Sequence, residues 1–340
     1  MDLLGSLSHY QDRLVRSAAL EVVARRKDRV LGILAEGLPA LPPHILALNE
    51  ALTAAPVDLE QINKLVRSSQ GLSAKLIRLC NSAAFGLRRT VSKIEEAAVL
   101  MGAHRLRVLV FTSYLLESCG RWLCERDIQE HWRHSFTAAI LSERAARVLG
   151  YPRSDQVYLA GLLHDIGKLP LLMVSIEGKG MIAREILFDP PDNLEKEREY
   201  FGLNHCEVGR WIGVSWNFRP RQIEVFYHHH APELAKHDPM LVGIVSVADR
   251  FCEIRELQPS ADPPHDDARL RRTLMAHMAR SLPAISLGDR QRLTFLLEAE
   301  YENAIPMVEQ TFEAITRKIS AATAGLTSHD EANESSRADD

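Results

Sequence analysis

The chain has 340 residues, 46% of them hydrophobic, and a formal net charge of −4, which suffices for one large or two ordinary domains with a sizeable core. The mildly acidic balance argues against a general affinity for nucleic acid while leaving room for a local basic patch. Five cysteines, an odd number with no C-x-x-C pair, speak against a zinc ribbon or a disulfide scaffold and suit reduced thiols in the cytoplasm.

The opening stretch, MDLLGSLSHYQDRLVRSAALEVVARRK, breaks every apolar run with polar or charged residues and so has no signal-peptide core. No later stretch approaches the roughly 18 uninterrupted apolar residues of a membrane span. Almost every segment carries a helical period, and no alternating run bounded by hairpin turns occurs, so the expected fold is all-α. Pro39, Pro42 and Pro43 suit a turn and a helix start, after which Ile45, Leu48 and Leu52 share a face. Asp58 is the candidate N-cap of a helix striped by Leu59, Ile62, Leu65 and Val66. Leu72, Leu76, Leu79 and Cys80 repeat that pattern before Gly86, and one or two helices divided near Gly102 complete an N-terminal bundle.

From about residue 121 histidines and acids enter the helical pattern itself. The helix DIQEHWRHSFTAAILSERAARVLG should stop at Gly150-Tyr151-Pro152. The next, SDQVYLAGLLHDIG, should be capped by Ser154 and broken at Gly167. After the turn cluster FDPPDN come HCEVGRWIGVSW, RPRQIEVFYHHHAP and PMLVGIVSVADRFCEI. QPSADPPHDDA reads as a linker, a last helical stretch covers about 268–322, and the polar tail TSHDEANESSRADD should be disordered.

Ligand-type side chains cluster in this second half. Glu130 and His134 are four apart, so a helix would stack them one turn apart on one face. His164 and Asp165 lie on the next helix, His205 opens another, His228, His229 and His230 end one more, and Asp249 sits in an apolar helix. Neutral imidazoles and carboxylates suit zinc, iron or manganese, and the set is large enough for two ions sharing a bridging carboxylate. Each member has a plainer reading. His134 could be a satisfied core histidine, Glu130 and His205 could face water, and the triplet could be a surface feature with at most two rings inward. Asp249 is harder to dismiss, because a carboxylate among Val245, Val247, Ala248 and Phe251 needs a partner if buried. His104 and His131 read as structural or surface residues, and Arg25-Arg26-Lys27 as a solvated helix face.

Taken together, His134, His164-Asp165 and Asp249 resemble the H…HD…D signature of the HD superfamily of metal-dependent phosphohydrolases. The frame around them resembles the HDOD family, HD-related output domains of bacterial signalling proteins. The matching stretches are LPALPP, LIRLCNSAAFG, AAVLMG, WRHSFTAA, LAGLLHDIGKLPL, NHCEVGRWIGVSW and HHHAP followed by VSVAD, from about residue 38 to 253. The resemblance implies a helical bundle (30–120) packed on a degenerate HD-like half (121–256); the helical extensions at 1–29 and 257–325, which match no output domain, and the tail at 326–340 are read from pattern and composition alone. The resemblance also implies a regulatory role more often than a catalytic one.

The HD-GYP phosphodiesterases, related to this family, use a comparable ligand set. By position it would fall on Glu130, His134, His164, Asp165, His205, His229, His230 and Asp249, with the last His pair chosen by alignment to an HHxP form. Two departures stand out. HHHAPELAKHDPM lacks a Gly-Tyr-Pro, which speaks against cyclic di-GMP hydrolysis, and SSQGLSAKL replaces an Asp-Pro common in HDOD members. Neither a receiver pattern nor a diguanylate-cyclase motif is present. The expectation is a bacterial cytoplasmic regulatory protein that binds a signalling protein or small ligand and holds one or two divalent ions (Fe, Mn or Zn). The alternative is a metal-dependent phosphohydrolase of nucleotides or phosphodiesters, with Asp165 and Lys168 as catalytic residues and Lys168 neutralising a phosphate. Oxygen chemistry at a di-iron centre is a third option. Neither a membrane nor a nucleic acid is an expected partner.

Overall fold

The computed structural model describes residues 20–35, 58–68, 126–177, 181–188, 194–256 and 267–306, with isolated positions between 47 and 110 and at 308–309. All regular elements among the described residues are helical, and none is a strand, so the protein is all-α. The expected helix start at Pro39 to Pro43, the Leu72, Leu76 and Leu79 stripe, the breaks at Gly86 and Gly102, His104, most of the linker and the polar tail lie outside the described residues.

Two compact units divide the chain. One comprises residues 1–42 and 138–297, the other 43–137 and 298–340. In the latter, α2 (Leu59–Ser68) begins as expected, with Asp58 Oδ1 accepting from the backbone N–H of Glu60 (2.9 Å) and Gln61 (3.0 Å). Ile62 is buried beneath it. Arg133 and Glu309 pair at 3.0 Å, tying the C-terminal segment into this unit.

α3 (Arg126–Val148) passes from one unit into the other. It ends at Gly150, whose φ of 66° needs a residue without Cβ. Tyr151 N–H reaches Ala146 O (2.8 Å) and Gly150 N–H reaches Arg147 O (3.2 Å), the paired bonds of a Schellman stop.

The larger unit holds α1 (20–35), α4 (Ser154–Leu163), α5 (Lys168–Glu177), α6 (Met181–Phe188), α7 (Leu194–Phe201), α8 (His205–Ser215), α9 (Pro220–His228), α10 (Pro239–Glu256), α11 (Asp267–Ser281) and the start of α12 (287–306). Ser154 does not cap α4. It is the first helical residue, and Arg153 stands at the N-cap without a side-chain cap, since a guanidinium has no acceptor to offer the helix N–H groups; it donates instead to Asp238 at 2.8 Å. The basic run on α1 is also less solvated than its sequence implies. Arg25 is exposed beside Glu21, but Arg26 lies 3.6 Å over the Tyr200 ring and donates to Tyr200 O at 3.3 Å.

Gln156–Ile176, which covers most of α4 and α5, is the one stretch among the described residues long and apolar enough to cross a membrane by length and composition; 89% of its most apolar 18-residue window is buried inside the fold. Leu159, Leu162, Leu163, Leu169, Leu171 and Leu172 are all buried there, each contributing roughly 1.5–3 kcal/mol of transfer free energy. The hydrophobicity is thus spent on a core. α10 is similarly surrounded, with Val242, Ile244, Val245, Val247, Ala248 and Phe251 buried, and α11 packs on it through Leu270, Leu274 and Met278. Asp165, in the turn between α4 and α5, and Asp249, on α10, are therefore carried into the interior, 1% and 3% exposed.

Candidate metal centre

α4 stops at Leu163 and the chain turns through His164, Asp165, Ile166 and Gly167 before α5 begins at Lys168. His164 is fully buried and Asp165 is 1% exposed. A Cβ on Gly167 would collide with His205 O and lie 2.7 Å from Gly209 N, so the absence of a side chain lets this turn meet the start of α8. There a capping box holds the helix end. Asn204 Oδ1 accepts from Glu207 N–H at 2.9 Å, and Glu207 Oε2 accepts from Asn204 N–H at 3.0 Å. His205 follows directly, 3% exposed. His229 caps the end of α9 and is fully buried, with His230 beside it.

Each of three imidazoles is held from behind. His164 Nδ1 donates to Gly161 O (2.6 Å), His229 Nδ1 to Val225 O (2.9 Å) and His205 Nδ1 to Glu197 Oε1 (2.8 Å). Carbonyl and carboxylate partners accept only, so the Nδ1 atoms carry the hydrogens and the Nε2 lone pairs face forward. What they face is more acceptors. His205 Nε2 lies 3.3 Å from His229 Nε2, 3.1 Å from His230 Nε2 and 3.3 Å from Asp165 Oδ1, with His229 Nε2 3.4 Å from that same oxygen. His164 Nε2 lies 3.3 Å from Asp249 Oδ1 and 3.5 Å from Asp165 Oδ2. Asp165 thus turns one oxygen to each of two imidazole groups, the arrangement of a bridging carboxylate.

A buried convergence of lone pairs is stable only around a cation. Burial opposes charge on His205, but Cys206 and Glu197 outweigh burial and hold the ring well above the ordinary imidazole range. Burial instead pushes His229 down to about 3. Burial also disfavours charge on Asp165, yet Lys168, His164, His229 and His205 hold its carboxyl well below the usual range. These donors fit a divalent transition metal in both type and number.

Lys168 is only 12% exposed, and its Nζ is 2.6 Å from Asp165 Oδ2. Burial lowers its pKa, but Asp165 and Asp249 raise it further, keeping the ammonium charged. His134 is 7% exposed on the portion of α3 belonging to the other unit. On that same portion Glu130 forms an ion pair with Arg126 at 2.7 Å, and it is in none of the close donor groups found among the described residues. Of the histidine triplet, His229 and His230 join those groups and His228 does not.

Four side chains at or beside the centre escaped sequence reasoning. Glu197 sits in LEKEREYF, which reads as a solvated helix, yet is 2% exposed; besides holding the His205 ring it accepts from His205 N–H at 2.7 Å. Cys206 joins His205, His229 and His230 in one donor group, and Glu253 joins His230 and Asp249 in another. The i,i+4 spacing of Asp249 and Glu253 was the available signal. His277 of α11 bonds Ser246 (3.0 Å) and Ser281 (3.1 Å) through Nε2. It helps line a cavity of about 400 Å³ that also meets His230, Asp249, Arg250, Glu253 and Arg280.

The sequence model of the HDOD domain matches residues 38–232, more than half of the chain. The chain belongs to the HDOD family. This HDOD protein is 24% identical over 249 residues to an uncharacterized protein of Treponema pallidum (strain Nichols), an alignment covering 69% of this chain and 45% of that one. The chain therefore spans about half the length of that relative. Among solved structures, it is similar to an HDOD domain protein with unknown function from Geobacter sulfurreducens, with a TM-score of 0.61, 23% identity and coverage of 86% of this chain and 99% of that one. It is also similar to a candidate phosphohydrolase from Shewanella amazonensis SB2B, with a TM-score of 0.62, 24% identity and coverage of 83% and 98%. At these identities the likeness establishes the fold. Asp249, Glu253 and His277 all lie beyond the matched family segment.

Proposed function

We propose that this HDOD protein is a bacterial cytoplasmic regulator that acts by binding a signalling protein or small ligand, built around a retained HD-type metal centre. The observation that carries the metal is the convergence of Nε2 atoms and carboxylate oxygens whose rings are held from behind by Gly161 O, Val225 O and Glu197. His164, Asp165 and Asp249 would hold one ion, and Asp165, His205, His229 and His230 a second. Iron, manganese and zinc all suit these donors. The regulatory reading rests on membership of the family and on the missing Gly-Tyr-Pro after the histidines.

A phosphohydrolase is the second reading, favoured by the cavity that meets Asp249 and His230 and carries Arg250 and Arg280. A bound ion would supply Lewis acidity and an activated water there. Lys168 is not among the residues lining this cavity; its ammonium is engaged with Asp165, so in this reading it serves the carboxylate and the arginines meet the phosphate.

The deciding experiment is elemental analysis of the purified chain beside Asp165→Ala, with thermal melts and a screen of phosphodiester and nucleotide hydrolysis. We expect one or two equivalents of metal in the wild type, loss of metal and a lower melting temperature in the variant, and no turnover by either. Metal-dependent turnover abolished in a folded variant would establish the phosphohydrolase. Absence of metal under every loading condition would overturn the metal centre in both readings.

A further inference from the structure

Cys206 is the second residue of α8, and none of the ligands above includes it. Its side chain is buried, and Sγ lies 3.4 Å from His205 Nε2. Sγ and one ring nitrogen each of His205, His229 and His230 all lie within 4.8 Å of one another. A tetrahedral ion with metal–nitrogen bonds of about 2.05 Å and a metal–sulfur bond of about 2.3 Å has N···N edges of about 3.3 Å and N···S edges of about 3.6 Å. The observed separations are 3.3 and 3.1 Å between Nε2 atoms and 3.4 Å from nitrogen to sulfur. The three edges that meet at His205 Nε2 are thus already close to tetrahedral length, and the other three donor pairs lie within 4.8 Å.

We infer that the Cys206 thiolate is a ligand of the ion held by His205, His229 and His230, with the Asp165 oxygen as a fifth donor beside that tetrahedral set. This rests on the metal centre proposed above and extends it to a donor outside the histidine and aspartate pattern. On binding, the ion takes the sulfur lone pair and the thiol proton leaves to solvent, so metal uptake releases that proton. The first turn of a helix favours the resulting negative charge. A soft sulfur beside three imidazoles selects zinc, iron or cobalt over manganese or magnesium, giving the two ions of the centre different preferences.

The test is cobalt loading of the reduced full-length chain under anaerobic conditions, read by electronic absorption. Wild type should show visible d–d bands together with a near-ultraviolet thiolate-to-cobalt charge-transfer band. Cys206→Ser should keep the d–d bands, lose the charge-transfer band and bind zinc at least about tenfold more weakly, while Cys252→Ser should keep both bands. Should Cys206→Ser fail to fold, zinc-edge X-ray absorption of the wild type should find one sulfur at about 2.3 Å. The d–d bands without charge transfer, or charge transfer surviving in Cys206→Ser, would remove Cys206 from the centre and leave the centre standing. No d–d bands at all would overturn both.

Discussion

Glu197 shows how much one buried carboxylate can decide. Its two oxygens hold both the ring and the backbone N–H of His205, fixing the tautomer that turns Nε2 toward Asp165, His229 and His230. Glu197→Gln keeps the shape but weakens the acceptor and can turn an amide N–H toward the ring. Metal affinity, measured by competition with a chromophoric chelator, should fall about 10–100-fold while the circular dichroism spectrum stays that of the wild type. An unchanged affinity would show that His205 needs no such support. Nothing about LEKEREYF distinguishes Glu197 from its solvated neighbours, because its burial comes from contacts with residues distant in sequence. His164-Asp165 and Asp249 were legible for the opposite reason, being polar groups inside runs otherwise fit only for a core.

At the scale of elements, α9 and the loop after it form a fastened unit. Glu224, 9% exposed, accepts from the backbone N–H of Lys236 (2.9 Å), His237 (2.8 Å) and Asp238 (3.4 Å) and from His237 Nδ1 (2.8 Å). His229 and His230 lie between the ends of this clamp. Burial tends to raise the Glu224 pKa, but His237 and the three N–H groups outweigh it and hold the carboxyl below its ordinary value. A carboxyl depressed in the folded state stabilises it fully above the unfolded value of about 4.3, and that stability is lost as pH falls through the lower folded value. Glu224→Gln should therefore cost about 1.5–3 kcal/mol at neutral pH. The difference from wild type, followed by chemical denaturation, should stay flat above about pH 5 and shrink below about pH 4. A difference independent of pH throughout would sink this account. Helix positions were legible from periodicity and from local stop and start chemistry, as at Asp58 and Gly150; at Ser154 the helix begins one residue earlier than a serine cap implies, and the N-cap falls on Arg153, whose side chain has no acceptor.

Across the larger compact unit, residues far apart in sequence must approach closely for the centre to exist. Gly167 marks the tightest such point, where the turn carrying His164 and Asp165 meets the backbone of His205 and Gly209. Backbone atoms cannot rotate away as a side chain can, so Gly167→Ala should cost about 3 kcal/mol or more, seen as a lower thermal midpoint, with metal stoichiometry reduced at temperatures where the variant is still folded. Full retention of both would show that α8 can back away without loss. The sequence by itself determined an all-α chain and the family frame, along with most of the donors that converge, since amphipathic spacing, caps and polar residues within apolar runs are local signals. Only the tertiary structure decided that Glu197 stands behind His205, that His229 and His230 turn inward while His228 does not, and that Cys206 and Glu253 join the donors. These are choices of direction and burial set by contacts between helices, and no local pattern encodes which neighbour a side chain will meet.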